Sequence, residues 1–412
     1  MVKILHFADA HIDIANYGQH APRTGLPARV MDFLKSLDTI VDTAIQEKVD
    51  LVIFAGDAYR NRHPEPTFQR EWGKRIMRLS HASIPTILLT GNHDMSPSQL
   101  NAHALQEFHT LEVPFVHVIN KPRLLGPQDL DNVPVQVIAL PWITRSGVLA
   151  AMASDGTPRE DTNILIENAL TDFVADAIQR LDPDLPVILT AHASISGADY
   201  GNEQTIKIGR DVLLQPGFVR NPRFDYVALG HIHKYQNLNE GSHPPVVYPG
   251  SIERVDFGEV KEEKGFVLAE VAKGKTRYTW RKLAIRPYID RVITLEDGEG
   301  VTGRLLAALP SEEAMKDAVV RLTIHYPRQL ETLIDEADLR EKARLAFMFY
   351  LVKSPHADVR SRLPEGQVTS SMTPLELLGM YWKENHVEEQ EQRNLEVLAA
   401  QIMSDVQGGV EA

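Results

Sequence analysis

The chain has 412 residues, of which 43% are hydrophobic, and it contains no cysteine. This length allows two or three domains of about 150 residues each. The lack of cysteine excludes disulfides, thiolate metal sites and cysteine nucleophiles, so any metal must be held by oxygen or imidazole ligands. The first apolar run is too short for a signal peptide, and no segment approaches the roughly 18 uninterrupted apolar residues of a membrane span. We therefore expect a soluble, cytoplasmic protein.

The formal net charge of −13 argues against a polyanionic partner, because nucleic-acid-binding proteins usually carry a basic surface. However, residues 369–412 alone hold eight acidic and two basic residues, a net charge of −6. Residues 60–78 hold six basic and two acidic residues, and they could contact a phosphate chain. A solvated helix face is the alternative interpretation of that segment. The candidates for contact with such a phosphate chain are Arg60, Arg62, Arg70 and Lys74.

Residues 1–283 alternate apolar, strand-like runs with helical patterns, which is typical of βαβ units in a layered α/β domain. Apolar residues recur with helical spacing in residues 28–48, which are predicted to form a helix, as are residues 161–181. Beyond residue 245 the pattern predicts strands only, which suggests an added sheet edge. These strands are predicted over 246–252, 265–270 and 276–283, with a turn at Lys273-Gly274.

The pattern changes near residue 284, and residues 284–366 are predicted to form a separate small α/β module. The predicted order is strand 289–295, helix 303–309, strand 318–326, helix 330–344 and strand 347–352. Two helices are predicted in residues 367–412. The first begins at Thr373-Pro374-Leu375-Glu376, which combines a capping-box spacing with proline at the first helical position. The second carries an apolar stripe that could pack within the protein or bind a partner, formed by Leu395, Leu398, Ile402 and Val406.

Five short polar signals each follow an apolar run in the first domain. In chain order they are Asp9-x-His11, Gly56-Asp57, Gly91-Asn92-His93-Asp94, Ala191-His192 and Gly230-His231-Ile232-His233. Sites in α/β sheets form beyond the carboxyl ends of the strands, so we expect these side chains to meet there. Each signal alone could be a turn or a buried polar group. The ordered set, with each member after a strand, indicates a metal site.

Seven of these residues offer oxygen or imidazole ligands, which is enough for two divalent cations. Asp57 is predicted to bridge the two cations. Asp9, His11 and His233 would complete one ligand shell, and Asn92, His192 and His231 the other. Two cations would acidify a shared water for attack on phosphorus and polarise the phosphate oxygens. His93 is predicted to protonate or stabilise the leaving oxygen, with Asp94 orienting its ring.

The ordered set resembles the calcineurin-like metallophosphoesterases. Three longer segments, residues 56–62, 192–198 and 248–259 with the following 263–266, are similar to the SbcD nucleases of bacterial SbcC–SbcD DNA repair complexes. The resemblance implies a β-sandwich flanked by helices, two manganese ions and His93 as the catalytic histidine. It also implies hydrolysis of DNA phosphodiesters, as an exonuclease on duplex ends and an endonuclease on single strands.

The same resemblance assigns roles outside the first domain. Residues 284–366 would be a capping domain that helps to grip DNA. The helices in residues 367–412 would bind the coiled coil of an SbcC-like ATPase, and the protein would be a homodimer.

One position departs from the family pattern. Some relatives carry a second active-site histidine three residues after the bridging aspartate, where this chain has Arg60. Serine/threonine phosphatases carry an aspartate there, whereas an arginine could clamp a phosphate. Two alternatives to a DNA nuclease stay open: a phosphodiesterase or phosphatase for small nucleotides, and a mainly architectural subunit that binds DNA ends.

Overall fold

The computed structural model describes residues 1–16, 20–21, 24–96, 102–143, 162–201, 213–356, 373–384 and 386–408. The chain divides into two compact units, one of Met1–Ile289 with Asp317–Val319 and one of Asp290–Lys316 with Val320–Ala412. The division into three domains at residues 284 and 367 stays a prediction.

The first unit contains strands β1 to β14 and helices α1 to α5 within its described residues. The strands are β1 (Val2–Phe7), β2 (Leu51–Phe54), β3 (Thr86–Leu89), β4 (Val116–Ile119), β5 (Arg123–Leu125), β6 (Gln136–Leu140), β7 (Val187–His192), β8 (Ser194–Ile195), β9 (Leu213–Leu214), β10 (Tyr226–Gly230), β11 (Gln236–Asn237), β12 (Val246–Tyr248), β13 (Gly265–Ala272) and β14 (Lys275–Lys282). The helices are α1 (Ala28–Gln46), α2 (Pro66–His81), α3 (Gln106–Thr110), α4 (Thr162–Gln179) and α5 (Pro216–Val219).

Two six-stranded sheets form the centre of this unit, in the orders β14-β13-β1-β2-β3-β4 and β11-β12-β10-β7-β6-β5. Strands β1 to β4 are parallel to one another, and so are β6, β7, β10 and β12. The hairpin of β13 and β14 pairs antiparallel with β1, and Lys273-Gly274 lies between its two strands. The expected sheet edge after the last histidines is therefore present.

Apolar side chains fill the space between the two sheets and cover both outer faces. Ile53 of the first sheet and Ile188 of the second belong to one shared buried cluster. On the outside of the first sheet, the ring of Trp72 in α2 lies 4.9 Å from that of Phe54 in β2. Leu170 in α4 packs on the other sheet. These layers form a β-sandwich flanked by helices, as predicted.

Helix α1 ends two residues before its predicted end. Its buried face repeats at helical spacing, and it includes Val30, Phe33, Leu34, Leu37 and Val41. Lys48 has a φ of 49°, in the left-handed region that ends a right-handed helix. The spacing of apolar residues reports side-chain positions only, so it does not reveal where the backbone leaves the helical conformation.

The second unit contains a three-stranded sheet in the order β15-β16-β17. The elements in chain order are β15 (Tyr288–Thr294), which begins in the first unit, α6 (Val301–Ala308), α7 (Glu312–Met315), β16 (Val319–Pro327), α8 (Glu336–Lys342) and β17 (Met348–His356). The single helix predicted over 330–344 is wrong. A 3₁₀ turn spans Arg328–Leu333, and α8 starts anew because the Asp335 side chain accepts hydrogen bonds from the main-chain NH groups of Ala337 and Asp338.

Two helices, α9 (Pro374–Glu384) and α10 (Glu389–Gly408), follow in the same unit. The predicted capping box is present: the Thr373 NH donates to Glu376 Oε2 over 2.7 Å, and the Glu376 NH donates to Thr373 Oγ1 over 3.3 Å. On α10, Leu398 and Ile402 are exposed and Leu395 is half-buried, while the Val406 side chain lies outside the described residues. Among the described helices, none is long and apolar enough to cross a membrane.

Candidate metal centre

The five polar signals meet where the carboxyl ends of both sheets come together. Asp9, Asp57 and Asn92 follow β1, β2 and β3 of the first sheet. His192 ends β7, and His231 follows β10 directly in the second sheet. Parallel strands end at the same edge of a sheet, so residues far apart in sequence become neighbours.

Asp9, His11 and His233 form the first ligand group. All three are buried, and their ligand atoms lie within 4.8 Å of one another. The Nε2 atoms of His11 and His233 are 3.1 Å apart. The Asp9 carboxylate accepts the main-chain NH of His231 over 3.1 Å, which fixes its position beside the two rings.

Asp57, His192 and His231 form the second group, again buried and with ligand atoms within 4.8 Å. Asn92 joins it, because its Oδ1 lies 2.9 Å from His231 Nδ1 and 3.1 Å from His192 Nε2. Asp57 Oδ2 is 3.4 Å from His192 Nε2 and 3.8 Å from His11 Nε2. The Asp57 carboxylate therefore lies between the two groups, where the sequence predicts a bridging ligand.

Four of the seven side chains are carried by left-handed backbone. Asp9, His11, Asp57 and His231 have φ values of 51°, 40°, 65° and 100°. This conformation is uncommon for residues other than glycine and typically carries strain of about 1 to 3 kcal/mol per residue. Because of this backbone conformation, neighbouring side chains do not point to alternating sides as they would in a strand. The folded core stabilises this strained backbone, which gathers the ligand atoms.

Gly230 allows the two sheets to approach each other at the centre. A Cβ atom at this position would lie 2.0 Å from the Ala55 carbonyl oxygen and 3.0 Å from His192 Nδ1. We expect Gly230→Ala to lower the free energy of unfolding by about 3 kcal/mol or more, because the main chain of Ala55 must move. Thermal unfolding in EDTA measures this effect.

Gly73→Ala in α2 is the matched control for that measurement. Nothing lies within 4 Å of the Cβ position there, so the variant should be as stable as the parent or up to about 1 kcal/mol more stable. If Gly230→Ala unfolds at the same temperature as Gly73→Ala, the close approach at residue 230 is contradicted.

Hydrogen bonds on the far side of three histidine rings orient their Nε2 atoms. The Nδ1 atom of His192 lies 2.7 Å from the Ala55 carbonyl oxygen, and that of His11 lies 3.2 Å from the Tyr59 carbonyl oxygen. A carbonyl oxygen only accepts, so both Nδ1 atoms carry a proton, and Nε2 is in each ring the atom that would bind a cation. His233 Nδ1 instead lies 2.7 Å from Glu259 Oε1.

Burial and close charges perturb the acids and bases of the centre. Burial raises the pKa of Asp9. Burial disfavours a charged His192, but the Asp57 carboxylate outweighs that effect and raises the pKa of His192 to about 9. Buried charges are normally paired or bound to metal. A cation entering this group must displace the His192 proton, which is the usual coupling of metal binding to pH.

The donor set suits a pair of divalent cations. Two buried carboxylates, one amide oxygen and four imidazoles face a common space, and Asp57 reaches both groups. Oxygen and imidazole ligands suit manganese, iron and zinc, and two such groups with a shared carboxylate are what a two-metal site requires. The two clusters could therefore bind two divalent metals.

The match to a known family decides the identity of this fold. The calcineurin-like phosphoesterase model matches residues 2–235, more than half of the chain. The chain belongs to this family. The match contains all seven ligand candidates of this phosphoesterase.

Similarity to individual curated proteins extends over a larger part of this phosphoesterase than the family match does. The DNA double-strand break repair protein Mre11 of Archaeoglobus fulgidus is 24% identical over 323 residues, covering 75% of this chain and 65% of that protein. The SbcD component of the SbcCD nuclease of Escherichia coli K12 is 27% identical, covering 66% of each. The uncharacterized metallophosphoesterase YhaO of Bacillus subtilis is 28% identical, covering 68% of this chain and 59% of that protein. The resemblance to the SbcD nucleases is confirmed, and the chain spans about two thirds or less of these relatives' own length.

His93 lies beside the ligands of this phosphoesterase. Its ring centroid is 5.2 Å from that of His11, and its main-chain NH donates to Asp57 Oδ1 over 2.9 Å. Its Nδ1 lies 2.8 Å from the Arg60 carbonyl oxygen and therefore carries a proton. Burial lowers the pKa of His93. The Asp57 carboxylate raises this pKa, and the Arg60 guanidinium lowers it.

The predicted contact between Asp94 and the His93 ring is wrong. The Asp94 carboxylate instead accepts the main-chain NH groups of Gly91, Asp57 and Ala58 over 2.8 to 2.9 Å. Asp94 thus joins the loops that follow β2 and β3, and the Arg60 carbonyl orients His93. Asp94 directly follows His93 in the sequence, which suggested a contact between their side chains. Main-chain NH groups of two loops bind the Asp94 carboxylate instead.

Asp13 is a second buried carboxylate that fixes the loop after β2. It accepts the main-chain NH of Arg60 and both the main-chain NH and the side-chain amide of Asn61. Sequence reasoning missed Asp13 and Glu259. Glu259 lies within the family-like segment 248–259, which was the available signal for it, whereas Asp13 lies outside the ligand motifs.

The four candidates for DNA contact have different surroundings. Arg60 is exposed, and its guanidinium NH1 lies 3.4 Å from His93 Nε2. Arg62 is also exposed. In α2, by contrast, Arg70 and Lys74 both pair with Glu71, at 2.9 and 2.8 Å. Arg75 and Arg78 of the same helix pair with Asp38 of α1. The α2 part of the basic segment therefore fits the alternative interpretation, a solvated helix face, whose cations form ion pairs here, and the DNA contacts stay predictions.

Proposed function

We propose that this phosphoesterase is a manganese-dependent DNA nuclease. The observation that carries the proposal is the position of His93 beside a buried centre in which Asp57 lies between two ligand groups. Asp9, His11, Asp57 and His233 would hold one cation, and Asp57, Asn92, His192 and His231 the other. Two bound cations would supply an acidified water and polarise the phosphate oxygens.

The chain's own residues would bind and orient the phosphodiester. The Arg60 carbonyl holds the proton on His93 Nδ1, so a second proton, in the imidazolium form of the ring, would be carried by Nε2 and would pass from there to the leaving oxygen, which leaves the ring neutral. The Arg60 guanidinium beside it would bind a phosphate oxygen. Asp94 and Asp13 would keep the loops that carry these groups in place.

The names of two relatives support DNA as the substrate. One is called a DNA double-strand break repair protein and the other a nuclease subunit. By the same resemblance, we assign exonuclease activity on duplex ends and endonuclease activity on single strands to this chain. Residues 284–366 would help to grip DNA. The proposed complex is a homodimer that acts in DNA repair.

The helices α9 and α10 are the proposed attachment site for an SbcC-like coiled-coil ATPase. Val397, Leu398 and Ile402 of α10 are 69%, 53% and 53% exposed. Apolar side chains at this helical spacing are what a partner helix would cover.

A substrate comparison tests DNA specificity. We expect the catalytic efficiency in manganese to be higher on end-labelled duplex or single-stranded DNA than on bis-p-nitrophenyl phosphate or a cyclic nucleotide. Hydrolysis of the small esters with DNA left intact would instead support a phosphodiesterase for small nucleotides. Arg70, Lys74 and Arg75 of α2 already form ion pairs within the protein, which favours testing a phosphodiesterase for small nucleotides beside the DNA nuclease.

Arg60→Ala is expected to weaken DNA binding about tenfold and to reduce the salt dependence of binding by about one phosphate contact. The reason is that the guanidinium is exposed beside His93, and no carboxylate of the described residues forms an ion pair with it. Fluorescence anisotropy with labelled DNA at several salt concentrations measures both quantities. Arg180→Ala, whose exposed guanidinium pairs with Asp176, is the matched control. Equal losses in the two variants would contradict a special role for Arg60.

A further inference from the structure

The His233 ring differs from the His11 and His192 rings in the group that contacts its Nδ1 atom. His11 and His192 have main-chain carbonyl oxygens next to Nδ1. His233 Nδ1 has a carboxylate oxygen, Glu259 Oε1, at 2.7 Å. A carboxylate partner makes an imidazole a stronger metal ligand than a neutral acceptor does, and it fixes which ring nitrogen carries the proton.

Both oxygens of Glu259 are engaged, so the carboxylate cannot turn away from the ring. Oε2 accepts the main-chain NH of Val255 over 2.9 Å and lies 3.0 Å from Lys264 Nζ. The residue is 4% exposed and ends a 3₁₀ turn at Phe257–Glu259. A buried carboxylate with fixed partners is a rigid support for the ring it contacts.

Lys264 contacts both the Glu259 carboxylate and the main chain of His233. Its side chain is fully buried, and its Nζ donates to the His233 carbonyl oxygen over 2.9 Å and to Glu262 Oε2 over 2.7 Å. One ammonium group thus holds both the carboxylate that contacts the His233 ring and the main chain that carries the ring. A buried charge with three close acceptors is compensated, which explains how Glu259 keeps a charged partner in this interior.

We propose that Glu259, held by Lys264, is a positioning residue that orients His233 and strengthens it as a ligand. The cation at Asp9, His11 and His233 is then bound more tightly than an imidazole with a neutral partner would allow. The inference rests on the two-cation centre of the proposed function, but it is independent of whether DNA is the substrate.

Direct titration of manganese, without DNA, tests this role. Glu259→Gln keeps the size and an acceptor oxygen but removes the charge, and Lys264 still has Glu262 as a counter-ion. We expect one of the two manganese sites to weaken about 10- to 100-fold, with the other changed less than about threefold. Calorimetry gives both affinities, and the electron paramagnetic resonance of free manganese gives an independent count.

Glu262→Gln is the matched control, because Glu262 shares the Lys264 ammonium whereas Glu259 is the carboxylate that contacts the His233 ring. Its two manganese affinities should equal those of the parent. Thermal unfolding of both variants in EDTA separates a structural defect, which would lower the unfolding temperature without any metal, from a change at the ligand.

A spectroscopic measurement adds a readout that a purely structural role would not move. In histidine-¹⁵N-labelled protein loaded with zinc, the Nδ1 proton of His233 should resonate far downfield and move upfield in Glu259→Gln. Should Glu259→Gln fail to fold, Glu259→Asp keeps the charge for Lys264 but shortens the reach to His233, and the same single-site loss is expected.

Two results would overturn the inference: unchanged affinity at both sites in the glutamine or aspartate variant, or an equal loss at both sites that Glu262→Gln reproduces. Failure of the parent protein to bind two manganese ions would instead count against the proposed function itself.

Discussion

Asp57→Asn is expected to reduce phosphodiester hydrolysis by about 10³-fold or more. The carboxylate lies between the two ligand groups, 3.4 Å from His192 Nε2 and 3.8 Å from His11 Nε2. Asparagine keeps the shape and the acceptor for the His93 NH, but it cannot give a charged oxygen to each of two cations. Loss of a bridged pair removes several kcal/mol of stabilisation of the transition state, and about 1.4 kcal/mol corresponds to each tenfold in rate.

The measurement is a single-turnover rate in saturating manganese, together with the number of manganese ions bound. We expect Asp57→Asn to bind fewer than two ions tightly. Asp176→Asn serves as the control, because Asp176 of α4 forms an exposed ion pair with Arg180, which follows that helix, and such pairs contribute little. A variant at Asp57 that binds two ions and reacts at the parental rate would contradict the bridging role.

His93→Ala is expected to lower the rate about 10²- to 10⁴-fold while manganese binding stays unchanged. His93 is outside both ligand groups, yet its ring lies 5.2 Å from that of His11. The Arg60 carbonyl fixes the ring through Nδ1, so alanine removes the group placed to exchange a proton with the leaving oxygen. The rate loss should be smaller on a substrate with a good leaving group, such as nitrophenolate, because it needs less proton transfer.

His63→Ala is the control for this variant. His63 is exposed within the basic segment 60–78, and neither ligand group includes it. Its rate should lie within about twofold of the parent. If His93→Ala loses manganese together with activity, His93 acts as a ligand or a support for one rather than as the proton-exchanging group.

The positions of the ligand residues could be predicted because they depend on a local rule. Each of Asp9, Asp57, Asn92 and His231 follows a buried strand, and strands that run in parallel bring their ends together. The role of Asp94 could not be predicted, because two of its three main-chain partners belong to a loop more than 30 residues earlier in the chain.

The electrostatic surroundings were harder to predict than the ligands. Residues 60–78 are basic in sequence, but Asp38 and Asp42 of α1 lie against Arg75 and Arg78 once the helices pack. Glu259 supports His233 from 26 residues away through a 3₁₀ turn. Such contacts depend on packing between elements, which composition and periodicity do not encode.

The fold itself followed from periodicity except where a cap or backbone reversal intervened. The alternation of residues 1–283 predicted the layered α/β class, and the hairpin around Gly274 formed the expected sheet edge. The helix predicted over 330–344 is broken because Asp335 caps a new helix. A side-chain cap can override an apolar pattern that continues through it.

Cleavage of end-labelled DNA tests the central claim most directly. Purified protein and Asp57→Asn are incubated with duplex and single-stranded DNA in manganese, in magnesium or in EDTA. We predict shortened products with the parent protein in manganese, none in EDTA, and none with Asp57→Asn over the same time. Intact DNA in every lane, while bis-p-nitrophenyl phosphate is hydrolysed in manganese, would contradict a DNA nuclease activity of this chain.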